Sequence, residues 1–307
     1  MSKSVLTMGA CAVLMNGGSL AQDAEPAVPQ VRPDDVVLRP APPGSVPYFL
    51  YRPSEPDPDA RAIVVVHGIS RNADQHVDAF AAFAKRANRL LIAPIFSRES
   101  CRRYQQVVTR RCRADLLLLA VLRDVAALTG QVADTVDLFG FSGGAQFAHR
   151  FAMLYPDRVA SLALSSAGWY TFPGQHDRYP YGIAPSTRTG RKIAANLDRY
   201  LQIPTLVLVG EHDVQRDGAL RKNPAIDRQQ GRTRVDRASR WVEAARDIAD
   251  ARGIEATTTL RLMADCGHDF TDCVNHGDLA WHAMDWFSAH ASDDRARQTQ
   301  SALSAAD

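Results

Sequence analysis

The stretch Thr135-Val136-Asp137-Leu138-Phe139-Gly140-Phe141-Ser142-Gly143-Gly144 decides how this chain reads. Its first five residues form a short apolar run, as expected of a strand buried inside a sheet. The run meets Gly-x-Ser-x-Gly, and residues 145–155 then place Phe147, Phe151 and Leu154 at helical spacing. A strand that turns at once into a helix brings two backbones close together. Small residues two before and two after the apex allow that approach. The turn is strained and leaves the apex hydroxyl, here Ser142, exposed and able to attack. Strand, elbow and helix follow in the order that a serine hydrolase requires.

Outward from the elbow, the same alternation recurs. Upstream lie expected strands at 48–51, 62–66 (AIVVV) and 90–96, with helices at 74–89 and 114–128. Downstream lie strands at 159–164, 205–209 (TLVLV) and 257–263, with helices at 237–252 and 278–290. Continuous apolar runs alternating with helices predict an α/β fold with a doubly wound, mostly parallel sheet. Two stretches interrupt the pattern. Residues 170–198 are rich in Pro, Gly, Tyr and Arg and read as a lid-like insertion over the C-terminal edge of the sheet. Residues 214–236 are rich in arginine, but the interleaved Asp217, Asp227 and Asp236 predict a solvated, self-paired surface around Arg216, Arg221, Lys222, Arg228, Arg232 and Arg234.

A serine hydroxyl needs a base to take its proton, and the base needs an acid to orient it. Asp213 ends Gly210-Glu211-His212-Asp213, just past the 205–209 strand, and is the expected acid, with Glu211 in reserve. His268 lies in Cys266-Gly267-His268-Asp269, just past the 257–263 strand, and is the expected base. Ser142, Asp213 and His268 would then emerge at C-terminal strand ends, where open α/β sheets place their sites. The other histidines lack such an address, and His67 is expected to shape its own loop. Two N–H groups are expected to hold the oxyanion: that of Gly143, at a helix start, and that of Ile69, after the 62–66 strand, with Ser70 as an alternative. Trp169 and Tyr170 follow the 159–164 strand and are expected either to form a substrate-stacking wall or to pack the lid.

On these pieces the chain resembles serine esterases of the α/β-hydrolase superfamily over residues 45–290. The pieces are the His67-Gly68 loop, the Gly140–Gly144 elbow, the acid turn at 210–213 and the Gly267-His268 turn. The Tyr48–Tyr51 strand and the elbow context also resemble secreted polyester depolymerases and feruloyl esterases. The resemblance implies carboxylic-ester hydrolysis through an acyl-enzyme, with no metal or organic cofactor. A peptidase or amidase with the same triad, or a non-catalytic binding protein on the same fold, are the alternatives. The substrate would be a small or polymeric ester.

A formal net charge of +2 over 307 residues gives no basic field for nucleic acid. Lys3, the apolar run 5–15 and Ser19-Leu20-Ala21 read as a signal peptide over 1–21, so the chain is expected to be exported to the periplasm or the medium, without stable membrane insertion. A mobile leader over 22–44, a catalytic domain over 45–291 and a disordered tail over 292–307 complete the expected organisation. If Cys11 leaves with the signal, Cys101, Cys112, Cys266 and Cys273 remain. An even count in an exported chain suggests disulfides, most simply Cys101–Cys112 and Cys266–Cys273, with free buried thiols as the alternative.

Overall fold

A computed structural model of the chain describes residues 34–57, 60–131 and 133–304. The expected signal peptide and most of the expected leader lie outside the described residues. The strands are β1 (Val36–Arg39), β2 (Tyr48–Tyr51), β3 (Ala62–Val66), β4 (Leu91–Pro94), β5 (Val136–Phe141), β6 (Val159–Ser165), β7 (Thr205–Gly210) and β8 (Thr258–Met263). They form one sheet in the order β1-β2-β4-β3-β5-β6-β7-β8. β1 and β2, and β2 and β4, pair antiparallel, and every pair from β4 to β8 is parallel. The sheet is the doubly wound, mostly parallel one that the alternation predicts.

The helices that cover it are α1 (Ala73–Arg86), α2 (Arg98–Cys101), α3 (Ala114–Thr129), α4 (Gly143–Leu154), α5 (Arg188–Leu201), α6 (Pro224–Gln230), α7 (Arg234–Asp250), α8 (Phe270–Asn275) and α9 (Leu279–Ser304). Strand side chains alternate between the two faces. Val64, Val66, Leu138, Leu164 and Val207 pack with Leu118 of α3, Phe147 and Phe151 of α4, Ile193 of α5 and Trp241 of α7. Ile63, Val65, Phe139, Ala163 and Leu206 pack on the other face, with Val77 and Phe80 of α1 and Ala283 and Phe287 of α9. Strands buried on both faces explain the unbroken apolar runs of β3 and β7.

Three expectations about the ends and insertions need correction. β1 lies inside 22–44, where a leader was expected, and its residues Val36–Arg39 extend the sheet as an edge strand. The last helix continues to Ser304, where a disordered tail was expected. Residues 292–304 contain neither Gly nor Pro, the two strongest helix breakers. The stretch 170–198 is not a lid throughout. From residue 188 it belongs to α5, whose Ile193, Leu197, Tyr200 and Leu201 are buried at helical spacing. Asn196 Nδ2 of α5 donates to the Leu154 carbonyl at the end of α4 (3.0 Å), which fixes the helix to the core.

Inside the sheet, Asp137 of β5 is fully buried. Its carboxylate accepts from Ser161 Oγ of β6 at 2.6 Å and from the Arg89 guanidinium, with Arg61 Nε 3.5 Å away. Removing one member of a buried, hydrogen-bonded ion cluster strands the others without solvent. Asp137→Ala is therefore expected to lower unfolding free energy by about 3–5 kcal/mol. Urea denaturation measures this, and an unchanged midpoint would show that the cluster carries no net stabilisation.

Candidate active site

The site starts from a close approach of backbones. A β-carbon on Gly144 would run into the Val66 carbonyl at the end of β3, and one on Gly140 would run into the Gly144 carbonyl. With β3, β5 and α4 this close, the residue between β5 and α4 has little conformational choice. Ser142 takes φ 51° and ψ −109°, a left-handed backbone rare for residues with a side chain. Its N–H donates to the Ser165 carbonyl at the end of β6 (2.7 Å), which ties the apex to the neighbouring strand.

At this apex Ser142 Oγ lies 3.1 Å from His268 Nε2. His268 Nδ1 lies 2.8 Å from Asp213 Oδ2. The imidazole packs against the Phe141 ring, with centroids 5.4 Å apart and planes 22° from parallel. Thus the three residues singled out from the ends of β5, β7 and β8 meet in one hydrogen-bonded chain. The reserve acid does not join it: Glu211 is exposed and its Oε1 accepts from the Asp265 N–H at 3.1 Å.

The two residues expected to supply oxyanion donors lie close together. Gly143 is the first residue of α4, so its N–H has no acceptor within the helix. Ile69 N lies 3.3 Å from the position a β-carbon on Gly143 would take. The Ser70 hydroxyl donates to Asn72 Oδ1, 3.3 Å away. His67 shapes this loop from inside. Its Nε2 accepts from the Phe96 N–H (3.0 Å), which leaves Nδ1 to donate to the Gly68 carbonyl (2.8 Å). Burial pushes its pKa down to about 4, so the ring stays neutral and the assignment of its nitrogens is stable. His149 and His76 are likewise buried, with pKa values lowered by desolvation.

Trp169 and Tyr170 are corrected as substrate contacts. Tyr170 is 0% exposed and stacks on Trp241 with centroids 4.9 Å apart. Trp169 is also buried, with the Arg150 guanidinium 4.1 Å and that of Arg221 5.2 Å from its ring centroid. Packing of the core and of the overhanging segment has taken up both rings.

The cysteines divide. Cys101 and Cys112 form a disulfide. Cys266 and Cys273, the second expected pair, are free and buried, with their sulfurs 3.1 Å apart. Burial pushes both thiols up, so neither is a thiolate at neutral pH.

Arg234 and Tyr104 were not legible as parts of the site. Arg234, read from the sequence as part of a solvated surface, is buried, and its Nη1 donates to Asp213 Oδ1 at 3.0 Å. Its Nη2 reaches Asp217 Oδ1 at 3.1 Å. Burial raises the Asp217 pKa, but hydrogen bonds from Arg234 and the Leu220 N–H, together with the Arg234 charge, hold the carboxyl below its ordinary value. Arg237, three residues on, is equally buried and bonds the Gly168 carbonyl. Of the rest of that cluster, Arg216 pairs with Asp227 at 2.8 Å, as expected, while Arg221 bonds Tyr181 Oη at 2.9 Å. Tyr104, inside the disulfide loop, is fully buried and donates to the His67 carbonyl at 2.6 Å.

The elbow glycines give a direct test. Gly144→Ala forces a β-carbon into the Val66 carbonyl and is expected to destabilise by more than about 2 kcal/mol. Gly174→Ala, with open space around the added carbon, is expected to stay within about 0.5 kcal/mol of the parent. Thermal midpoints of the two variants check this; similar midpoints would mean that the elbow is not tightly packed.

No family model matches the chain, and no curated protein matches its sequence. Solved structures do. Poly(aspartic acid) hydrolase-1 from Sphingomonas sp. KT-1 is 27% identical with a TM-score of 0.69, over 82% of this chain and 100% of that one. The poly(3-hydroxybutyrate) depolymerase from Bordetella parapertussis is 28% identical with a TM-score of 0.66, over 83% and 90%. An S-formylglutathione hydrolase from Agrobacterium tumefaciens shares the fold at 15% identity, with a TM-score of 0.52 over 84% and 94%. With its eight-stranded sheet, its elbow and these neighbours, the chain is a hydrolase of the α/β-hydrolase fold.

Proposed function

We propose that the chain is a serine hydrolase of carboxylic esters, with Ser142 as nucleophile, His268 as general base and Asp213 as the orienting acid. The observation that carries the reading is the unbroken relay from Ser142 Oγ to His268 Nε2 (3.1 Å) and from His268 Nδ1 to Asp213 Oδ2 (2.8 Å). With Nδ1–H donated to Asp213, Nε2 presents its lone pair to the Ser142 hydroxyl. Ser142 attacks the ester carbonyl as His268 takes its proton. The N–H groups of Gly143 and Ile69 hold the developing oxyanion, and His268 then protonates the leaving alcohol. Water enters, His268 deprotonates it, and the acyl-enzyme is hydrolysed. No step calls on a metal or an organic cofactor.

The likeness to a poly(3-hydroxybutyrate) depolymerase favours an ester in a polymer main chain. The likeness to a poly(aspartic acid) hydrolase supports a second reading, amide hydrolysis by the same residues. The Cys101–Cys112 disulfide supports export to an oxidising compartment.

The test is hydrolysis of p-nitrophenyl esters, from acetate to palmitate, beside a matched p-nitroanilide. Ser142→Ala and His268→Ala are each expected to lose at least about a thousandfold in kcat with the fold intact. Equal rates in parent and Ser142→Ala would remove the serine from the mechanism. A Ser142-dependent preference for the anilide would establish the amide reading instead.

Arg234 makes the pH profile informative. Its positive charge competes with the imidazolium for the Asp213 carboxylate. In Arg234→Gln that competition is gone, so the carboxylate holds the imidazolium more strongly. The acid limb of kcat/KM is expected to move towards higher pH, with partial return in Arg234→Lys. A profile that falls in height with no shift would show that Arg234 acts only on the fold.

A further inference from the structure

A buried hydroxyl lies where the exit of β3 meets the start of α4, and no step of the mechanism uses it. Tyr104 is fully buried, and its hydroxyl donates to the His67 carbonyl at 2.6 Å. Burial raises the pKa of the phenol, so it stays a donor at neutral pH. The same oxygen lies 2.8 Å from where a β-carbon on Gly143 would sit, and the His67 carbonyl lies 2.7 Å from where one on Gly144 would sit. Three groups pack against the Tyr104 ring. It stacks on Phe96 with centroids 5.0 Å apart and planes 6° from parallel, and it meets the His67 imidazole edge-on at 5.1 Å. The Arg71 guanidinium lies 5.5 Å from its centroid.

From His67 the constraint reaches Ile69 through the backbone. The Gly68 carbonyl accepts from His67 Nδ1 (2.8 Å) and from the Arg71 N–H (3.1 Å). The Gly68 carbonyl and the Ile69 N–H belong to one planar trans peptide, so they point in opposite directions. Holding the carbonyl on His67 and Arg71 therefore aims the Ile69 N–H away from both. His67 can do this only while it is itself held. The Phe96 N–H fixes its ring from Nε2 (3.0 Å), and Tyr104 fixes its carbonyl.

Tyr104 in turn depends on its own loop. Between α2 and α3 the chain forms only one short helical turn, Tyr104–Gln106. The Cys101–Cys112 disulfide closes this segment, with Cys101 three residues before the tyrosine. Arg150 Nη1 of α4 donates to the Gln105 carbonyl at 2.6 Å. Arg71 Nη2 donates to the Arg102 carbonyl at 3.3 Å, which ties the β3 exit loop to the same segment a second time.

We infer that Tyr104 is a positioning residue for the oxyanion donor of Ile69, and that the Cys101–Cys112 disulfide supports turnover by keeping Tyr104 in place. The inference rests on the hydrolase reading. Tyr104 has no exposed surface, so it acts through the His67 carbonyl and not on the substrate. Removing its hydroxyl leaves that carbonyl short of a donor and frees the backbone from His67 to Ile69 to shift. An oxyanion donor works only at a fixed distance from the developing charge, so a small shift costs rate.

The test is Tyr104→Phe, which keeps the ring and removes the hydroxyl. On the p-nitrophenyl ester that the parent turns over best, kcat is expected to fall about tenfold while KM stays within about twofold, because the donor acts in the transition state. Affinity for an alkyl boronic acid, whose tetrahedral adduct on Ser142 mimics the intermediate, should fall by about the same factor. Tyr155→Phe, which deletes a hydroxyl bond to Asp115 Oδ2 (2.7 Å) at the far end of α4, is expected to turn over like the parent. Cys101→Ser/Cys112→Ser is expected to lose kcat in the same way as Tyr104→Phe. Adding Tyr104→Phe to it should cost less than about threefold more, since both act on one carbonyl. Thermal midpoints establish that each variant is folded, and if Tyr104→Phe is not, the disulfide variant carries the test through its own split between kcat and KM. Unchanged kcat in Tyr104→Phe, or a rise in KM alone, overturns the inference. So does full additivity of the tyrosine and disulfide losses. A parent no faster than Ser142→Ala in the same assay sinks the hydrolase reading and the inference with it, an outcome distinct from an active parent matched by Tyr104→Phe.

Discussion

Everything at the site depends on how closely three backbones approach at the end of β5. Gly140 and Gly144 have no β-carbon because the Val66 carbonyl and the first turn of α4 occupy that space. Once they meet, Ser142 has no relaxed conformation available and takes the left-handed one. The same contact begins α4 at Gly143, close to Ile69 of the β3 exit loop. A single packing constraint therefore sets both the strained serine and the approach of these two backbones. Neither can be moved without separating β3 from α4.

A second constraint is electrostatic. Asp213 is 1% exposed, so its carboxylate depends on protein partners for solvation. Arg234 and His268 divide its two oxygens, and Arg234 is shared with Asp217 at the partly exposed edge. The result is a row of charges that alternates from the surface inward and ends at the imidazole. Asp137 shows the same principle in a purely structural setting, with Arg89 and Ser161 as its partners.

The sequence made the sheet and the relay legible because both follow from local pattern. A short apolar run such as 205–209 reads as a strand buried on two faces, and Asp213 lies just past it, as His268 lies just past the half-exposed strand β8. What stayed hidden depends on distant contacts. Nothing around Arg234 distinguishes it from Arg232 or Arg228, because its burial comes from the fold of α7 against the β7 exit. Trp169 and Tyr170 were correctly placed near the end of β6, but their neighbours Arg150 and Trp241 come from α4 and α7. α5 was missed for a different reason. Its spacing of Ile193, Leu197 and Leu201 is regular, yet the Pro- and Gly-rich residues before it masked the pattern. The last helix extends past 290 to Ser304 through a stretch with neither Gly nor Pro, so no local signal marks where it ends.

The two cysteine pairs show what holds each side of the site in register. On the oxyanion side, the loop from Cys101 to Cys112 has little regular structure of its own, and a covalent bond closes it around Tyr104. On the base side, Cys266 and Cys273 remain thiols, and the loop that carries His268 is held by hydrogen bonds instead. The Glu211 N–H bonds the Met263 carbonyl (2.9 Å), and the His212 N–H bonds the Cys266 carbonyl (3.1 Å). These bonds extend the β7–β8 pairing beyond the last strand residues, and Gly210 lacks a β-carbon where the Cys266 carbonyl crosses it. Asp269 then caps α8 through the Asp272 N–H (3.0 Å) and ends the loop. The acid and base turns are thus a continuation of one ladder, so the distance from Asp213 to His268 is set by the sheet itself. A bridge between Cys266 and Cys273 would add a constraint to a loop that the sheet already fixes.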